Sequence, residues 1–387
     1  MAGSRRRWVV LAAGTVAQTS QAAAYSGLAV LAPALRDRYH LSLTQIGVLL
    51  GGVGVGALLT LLAWGLLADL VGERATATVG LAGSAAGFAG AAYVPEFASL
   101  VIVLAVASGF GASANTATGR AVTSWFPRNE RAFALAIRQT AIPIGGFSAA
   151  LALPAIVDQW GLRAALLALG GFSLATAVTS ALWLVEGPIR SDIGQEAAMV
   201  LHPLRDRRIW RISVGSSLLI FTQAAITGFV VLFLESQHGF SPGEAGAVLA
   251  AMNVFGAAGR LIGGRIADRH GSRVGLIRGI ALGTAVGVGS TAALAGTSAW
   301  LIVPALVLGG GLSMSWNALS VTAVVEAAGA ARSGAALGLQ QTLLALAVVI
   351  APLGFAPLVA ATSWNAGFAV AAAFPVASIA VLRQIGR

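Results

Sequence analysis

The sequence predicts an all-α membrane protein with twelve transmembrane helices in two pseudo-symmetric six-helix bundles. Three observations carry that prediction. Hydrophobic residues are 57% of the 387, charged residues 10%, and the mean hydropathy is +0.84; a soluble domain carries about 25% charged residues. Two stretches 199 residues apart are versions of each other. One reads Gly65-Leu-Leu-Ala-Asp69-Leu-Val-Gly72-Glu73-Arg74, the other Gly264-Arg-Ile-Ala-Asp268-Arg-His-Gly271-Ser272-Arg273. The register extends upstream, pairing Ser42 with Ser241, Gly47 with Gly246 and Leu62 with Leu261. The third observation is that arginines gather in alternate loops. A duplicated unit of half an apolar chain points to a transporter built from two equivalent halves.

A span needs about 20 apolar residues, so the length holds about twelve with short connections. The first begins after Arg5-Arg6-Arg7 and runs over 8–35; with no convincing cleavage site before the next span, it reads as a permanent helix rather than a signal peptide. The following spans are placed at 43–68, 75–94, 98–126, 131–157 and 162–185. Glu186 to Arg208 is the longest polar stretch and contains Gly187, Pro188 and Pro203, which makes it the linker between the halves. Spans resume at 210–234, 243–267, 274–295, 299–325, 333–360 and 364–383. The organisation is therefore 1–185, a linker at 186–208, and 209–387. The duplication also pairs Ser20-Gln21 with Thr222-Gln223, Arg138-Gln139-Thr140 with Gln340-Gln341-Thr342, Pro154 with Pro357 and Trp160 with Trp364. Forty-nine glycines suit helices that pack closely in lipid.

The net charge of +10 orients the chain and does not read nucleic acid. Every basic residue is arginine. Most lie in the N-terminal segment, the linker, the tail and the even-numbered turns; the other loops hold little beyond Arg36, Arg38 and Arg163. This positive-inside pattern predicts cytoplasmic termini, in a bacterial inner membrane. There is no cysteine, and the four histidines fall near span ends, so no metal or cofactor is expected.

Gly65, Asp69, Gly72 and Arg74, with Gly264, Asp268, Arg269, Gly271 and Arg273, resemble the 2–3 and 8–9 turn signatures of the major facilitator superfamily. Trp125-Phe126-Pro127-Arg-Asn-Glu130-Arg131-Ala-Phe-Ala134 resembles the 4–5 turn of its anion-transporting branches: monocarboxylate, oxalate, cyanate and nitrate transporters. Glu73 departs from the family, which usually carries a basic residue there, and this weakens one gating contact. Neither is there an arginine in the middle of span 4, where proton-coupled drug exporters carry one. The resemblance implies latches between the halves, expected as Asp69 with Arg74 and Asp268 with Arg273. Such a carboxylate faces an arginine and a helix N-terminus.

All fourteen acidic residues lie at or near span ends, whereas Arg120, Arg138 and Arg260 lie inside apolar spans. A charge at a helix centre costs about 2.5–3.5 kcal/mol and marks a functional candidate. Arg138 follows Arg131 by seven residues and Arg260 precedes Asp268 by eight, so each sits about 10–12 Å from the boundary. Asn253 shares a small, polar face with Arg260. Arg120 lies near Trp125 and is expected to snorkel to the surface. Two guanidiniums without carboxylates suit a carboxylate or similar anion, and the resemblance puts Arg260 where monocarboxylate and oxalate transporters bind substrate. Gln18, Gln21, Tyr25, Asn115, Thr222, Gln223, Trp316 and Asn317 would complete the cavity, since spans 1, 4, 7 and 10 line it in the family.

The expected function is secondary active transport of a small organic anion by alternating access, in a monomer, as symport or antiport with protons as one coupling ion. The alternative is a proton-coupled exporter of lipophilic compounds. Its discriminator, a buried Asp or Glu in spans 1, 4, 5 or 7, is absent. An enzyme would need convergent catalytic groups at depth, and the spans offer no His, Cys, Asp or Glu there.

Overall fold

The computed structural model describes residues 2–187, 206–270, 272–328 and 333–383. All regular structure among them is helical. The first half contains α1 (Ala2–Val30), α2 (Ala32–Tyr39), α3 (Leu43–Val71), α4 (Glu73–Ala91), α5 (Phe97–Gly111), α6 (Ser113–Trp125), α7 (Arg128–Gln139) and α8 (Ala141–Trp183). The second contains α9 (Arg207–His238), α10 (Pro242–His270), α11 (Arg273–Leu294), α12 (Ala299–Ser313), α13 (Asn317–Ala328), α14 (Ser333–Ala361) and α15 (Trp364–Arg383). Residues 188–205 of the expected linker lie outside the described residues. Two compact units emerge: Met1–Leu41 with Val48–Ser191, and Ser42–Gly47 with Asp192–Arg387.

Local chemistry sets the helix ends, and the duplication extends to it. Before α3, the Ser42 amide donates to Gln45 Oε1 at 2.8 Å and the Gln45 amide to Ser42 Oγ at 3.2 Å. Before α10, Ser241 and Glu244 make the same reciprocal bonds at 2.8 and 3.3 Å. These capping boxes each satisfy two amides that the first helical turn leaves without partners. Asp206 caps α9 by accepting from the Arg208 amide at 2.8 Å.

Nine helical stretches among the described residues are long and apolar enough to cross a membrane. One of them, Phe133–Trp183, has 51 residues and would run about 77 Å as a straight helix, over twice the hydrocarbon thickness. Gly161 divides it with φ 79°, a conformation that side-chain-bearing residues rarely adopt. Leu59, Leu62, Leu66 and Leu70, at helical spacing on α3, are each more than half exposed, an uncovered apolar face of the kind a membrane or a packing partner covers.

Four breaks within the expected spans were not legible as helix ends. They fall at Leu31, at Ala112, at Thr140 and across Met314–Trp316. Pro33 at the first turn of α2 lacks an amide hydrogen and accounts for the first break. Within the first unit, α1 packs along α8 and α4 lies against α5 and α8. Contact between α1 and α8 is close because Gly145 has no side chain: a Cβ there would stand 2.6 Å from the Thr19 carbonyl oxygen. In the second unit, α9 packs on α14 and α15, and α11 on α12 and α15.

Candidate functional site

Arg138 ends α7 just before the break at Thr140, and it is 6% exposed. Its Nη1 is surrounded by four oxygens: Gln18 Oε1 at 3.1 Å, the Asn115 carbonyl at 3.1 Å, Asn115 Oδ1 at 3.2 Å and Thr118 Oγ1 at 3.0 Å. These come from α1 and α6, so one guanidinium ties three helices. Its Nε has no hydrogen-bond partner among the described residues. Every acceptor is neutral, and no ion pair to Arg138 is formed among those residues. A buried cation without a counter-charge is costly, which makes its retention meaningful.

Beside this nest lies a cavity of about 190 Å³ within the first unit. Two of the sequence-predicted site residues, Gln21 and Tyr25, line it together with Ser84, Phe88 and Ser108. Arg138 and Asn115 do not line it; Gln18 stands between, its Nε2 donating to Gln21 Oε1 at 3.1 Å. Ser84 and Ser108 were not anticipated. They sit on apolar helices with no polar periodicity, and the sequence carries no signal for them.

The second unit holds the other arginine. Arg260, on α10, donates from Nε to the Met314 carbonyl at 2.7 Å, at the break between α12 and α13. Gln223 Oε1 accepts from Asn317 Nδ2 at 3.3 Å, which joins α9 to α13. Two expected contact residues occupy other surroundings. Trp316 is fully buried, packs with Leu219, Ile277 and Leu319, and donates its indole N–H to the Ser313 carbonyl at 2.7 Å. Asn253 is buried and donates to the Leu249 carbonyl of its own helix at 2.9 Å. Thr222 is likewise committed, to the Ala371 carbonyl at 2.7 Å.

The signature turns are built differently from expectation. Asp69 pairs with Arg120 rather than with Arg74, which is exposed. Arg120 Nε also reaches Glu73 Oε1 at 3.3 Å, so it is folded onto two carboxylates instead of snorkelling. The expectation that Glu73 weakens the contact is corrected: Glu73 is buried and is the second arm of a clamp on Arg120. Burial raises the Glu73 carboxyl above the ordinary range, and the neighbouring Glu186 adds to this; hydrogen bonds at its own backbone amide and from Ser124 oppose it. In the second unit Arg273 Nε donates to Glu326 Oε1 at 2.6 Å. The side chain of Asp268 lies outside the described residues.

The family profile of the Major Facilitator Superfamily matches residues 14–352. An uncharacterized MFS-type transporter of Mycobacterium tuberculosis strain H37Rv is 32% identical over 378 residues, covering 97% of this chain and 85% of that protein. A probable sulfoacetate transporter of Cupriavidus necator is 26% identical, covering 89% and 86%. Among solved structures, a bacterial homolog of the human lysosomal transporter Spinster, inward-facing and occupied, superposes with a TM-score of 0.82 at 15% identity over 98% of this chain and 96% of that one. The nucleoside transporter NupG gives 0.76 at 14% identity over 98% and 100%. The extent of the family match, the identity to the mycobacterial relative and the shared fold give one conclusion: the chain belongs to the major facilitator superfamily and is a multi-pass membrane transporter, not an enzyme.

Proposed function

We propose that the protein is a secondary transporter of a small organic anion, working by alternating access of two six-helix halves. The halves are 1–185 and 209–387, joined by 186–208, with twelve spans and both termini in the cytoplasm of a bacterial inner membrane. The observation that carries the anionic reading is Arg138: buried, held by neutral oxygens only, and without a carboxylate partner among the described residues. Arg260 supports it, spending its Nε on a backbone carbonyl and forming no ion pair among those residues. An arginine left with donor capacity in a low-dielectric span favours a carboxylate, sulfonate or similar anion. The similarity to a probable sulfoacetate transporter is consistent with this chemistry.

Gln21, Tyr25, Asn115, Gln223 and Asn317 complete the proposed set of polar groups. Trp316 and Asn253 belong to the surrounding packing. Asp69, Arg120 and Glu73 in one half, and Arg273 with Glu326 and Asp268 in the other, form the proposed gates. No carboxylate sits at mid-depth in the sequence, so a proton would travel with the anion or a second anion would exchange for it.

A second reading, export of lipophilic compounds, is favoured by the apolar residues Val53, Phe88 and Ile142 in the cavity wall. Counterflow in proteoliposomes separates the two. Vesicles preloaded with acetate, benzoate or sulfoacetate should accumulate the same labelled anion, and Arg138→Gln and Arg260→Gln vesicles should not. Accumulation of tetraphenylphosphonium alone would favour the exporter.

A further inference from the structure

The polarity of the first-unit cavity is set at a distance. A guanidinium has donors only, so Gln18 turns its carbonyl oxygen toward Arg138, at 3.1 Å. The Gln18 NH2 is then left to donate, and it does so to Gln21 Oε1 at 3.1 Å. With its oxygen taken, Gln21 has its NH2 to offer to the cavity it lines. Two amides that could each sit in either orientation are thereby locked in sequence, and both locks begin at Arg138.

The same cavity carries the hydroxyls of Tyr25, Ser84 and Ser108, none of which has a protein partner among the described residues. A hydroxyl can donate or accept, whereas the Gln21 NH2 can only donate. Val53 and Phe88 also line the cavity, with nothing polar to offer. A two-carbon anion would fit but leave those side chains wet and bind more weakly than one with an apolar body, and a cation would meet a donor.

We infer that this cavity takes an acceptor-rich head, a carboxylate or sulfonate, carried on an apolar body. Arg138 is a positioning residue that aims the Gln21 donor through Gln18, rather than the group that touches the head. The inference rests on the anionic-substrate reading above and deepens it, naming the substrate class and exchanging the role of Arg138 for that of Gln21.

The test is a thermal-shift series on detergent-purified full-length protein with acetate, benzoate and benzamidinium as probes. Benzoate should stabilise the wild type more than acetate at equal concentration. Gln18→Leu, which keeps Arg138 but cuts the relay, should lose the benzoate shift as fully as Arg138→Gln does. Gln21→Glu, nearly isosteric, should lose the benzoate shift and acquire one with benzamidinium.

Retention of the benzoate shift by Gln18→Leu, with its loss in Arg138→Gln, would make Arg138 the direct ligand; the relay would fall and the anionic reading would stand. Equal shifts with acetate and benzoate would remove the apolar body. A wild type stabilised by benzamidinium and by neither anion would sink both readings. If Gln18→Leu does not fold, Gln21→Glu decides, since it leaves Gln18 and Arg138 in place: an unchanged preference for benzoate overturns the proposal.

Discussion

Arg138 combines deep burial with an incomplete set of partners. Four acceptors crowd one nitrogen while Nε has none among the described residues. Thr118→Val removes one acceptor at nearly constant shape; it should lower stability by about 1 kcal/mol, the net worth of a typical hydrogen bond, without changing ligand preference, as melting temperature with and without benzoate would report. Glu73 supplies a pH-dependent counterpart. Its folded-state pKa is raised, so its contribution to stability is complete at low pH and is lost as pH rises through that value. The melting temperature of the wild type relative to Glu73→Gln should therefore climb as pH falls from 7 toward the ordinary glutamate range near 4.5. A difference that stays flat across this range would contradict the raised Glu73 carboxyl.

At the scale of helices, Arg138 and Arg260 both attach to a broken span. Arg138 meets the Asn115 carbonyl just past the break at Ala112, and Arg260 meets the Met314 carbonyl within the break before α13. Each arginine thus donates to a backbone carbonyl at or just past a helix break, one at 112–115 and the other at 314–316. The long apolar spans, the Gly161 break between spans 5 and 6 and the repeat were legible in the sequence, because hydropathy and self-similarity are local patterns. The breaks inside spans 1, 4, 5 and 10 were not, since an interrupted apolar helix keeps the composition of a continuous one. The burial of Trp316 was hidden for a related reason: it follows the turn at Met314, and its indole packs with Leu219, Ile277 and Leu319. Close approach of α1 and α8 can be probed directly. Gly145→Val would push side-chain carbons onto the Thr19 carbonyl and should cost about 1–3 kcal/mol, as overpacking does, seen as a lower melting temperature.

Across the whole molecule, each signature turn is tied by an ion pair to another helix of its own unit. The first offers two carboxylates, Asp69 and Glu73, to Arg120 of α6; the second offers Arg273 to Glu326 of α13. The sequence exposed the turns but hid the partners, because Arg120 and Glu326 lie 47 and 53 residues beyond Glu73 and Arg273. If these contacts gate rather than bind, Arg120→Gln and Glu326→Gln should reduce counterflow severalfold while leaving the anion-induced thermal shift intact. Loss of that shift would move them into the site.

The proposed function gives two intramembrane arginines, one from each half, the task of serving an anionic substrate. It is tested most directly by thermal-shift titration of wild type, Arg138→Gln and Arg260→Gln against a panel of small organic anions and lipophilic cations. The account predicts that at least one anion stabilises the wild type and neither variant. Equal stabilisation of all three proteins by cations would contradict it, leaving both arginines as ties between helices.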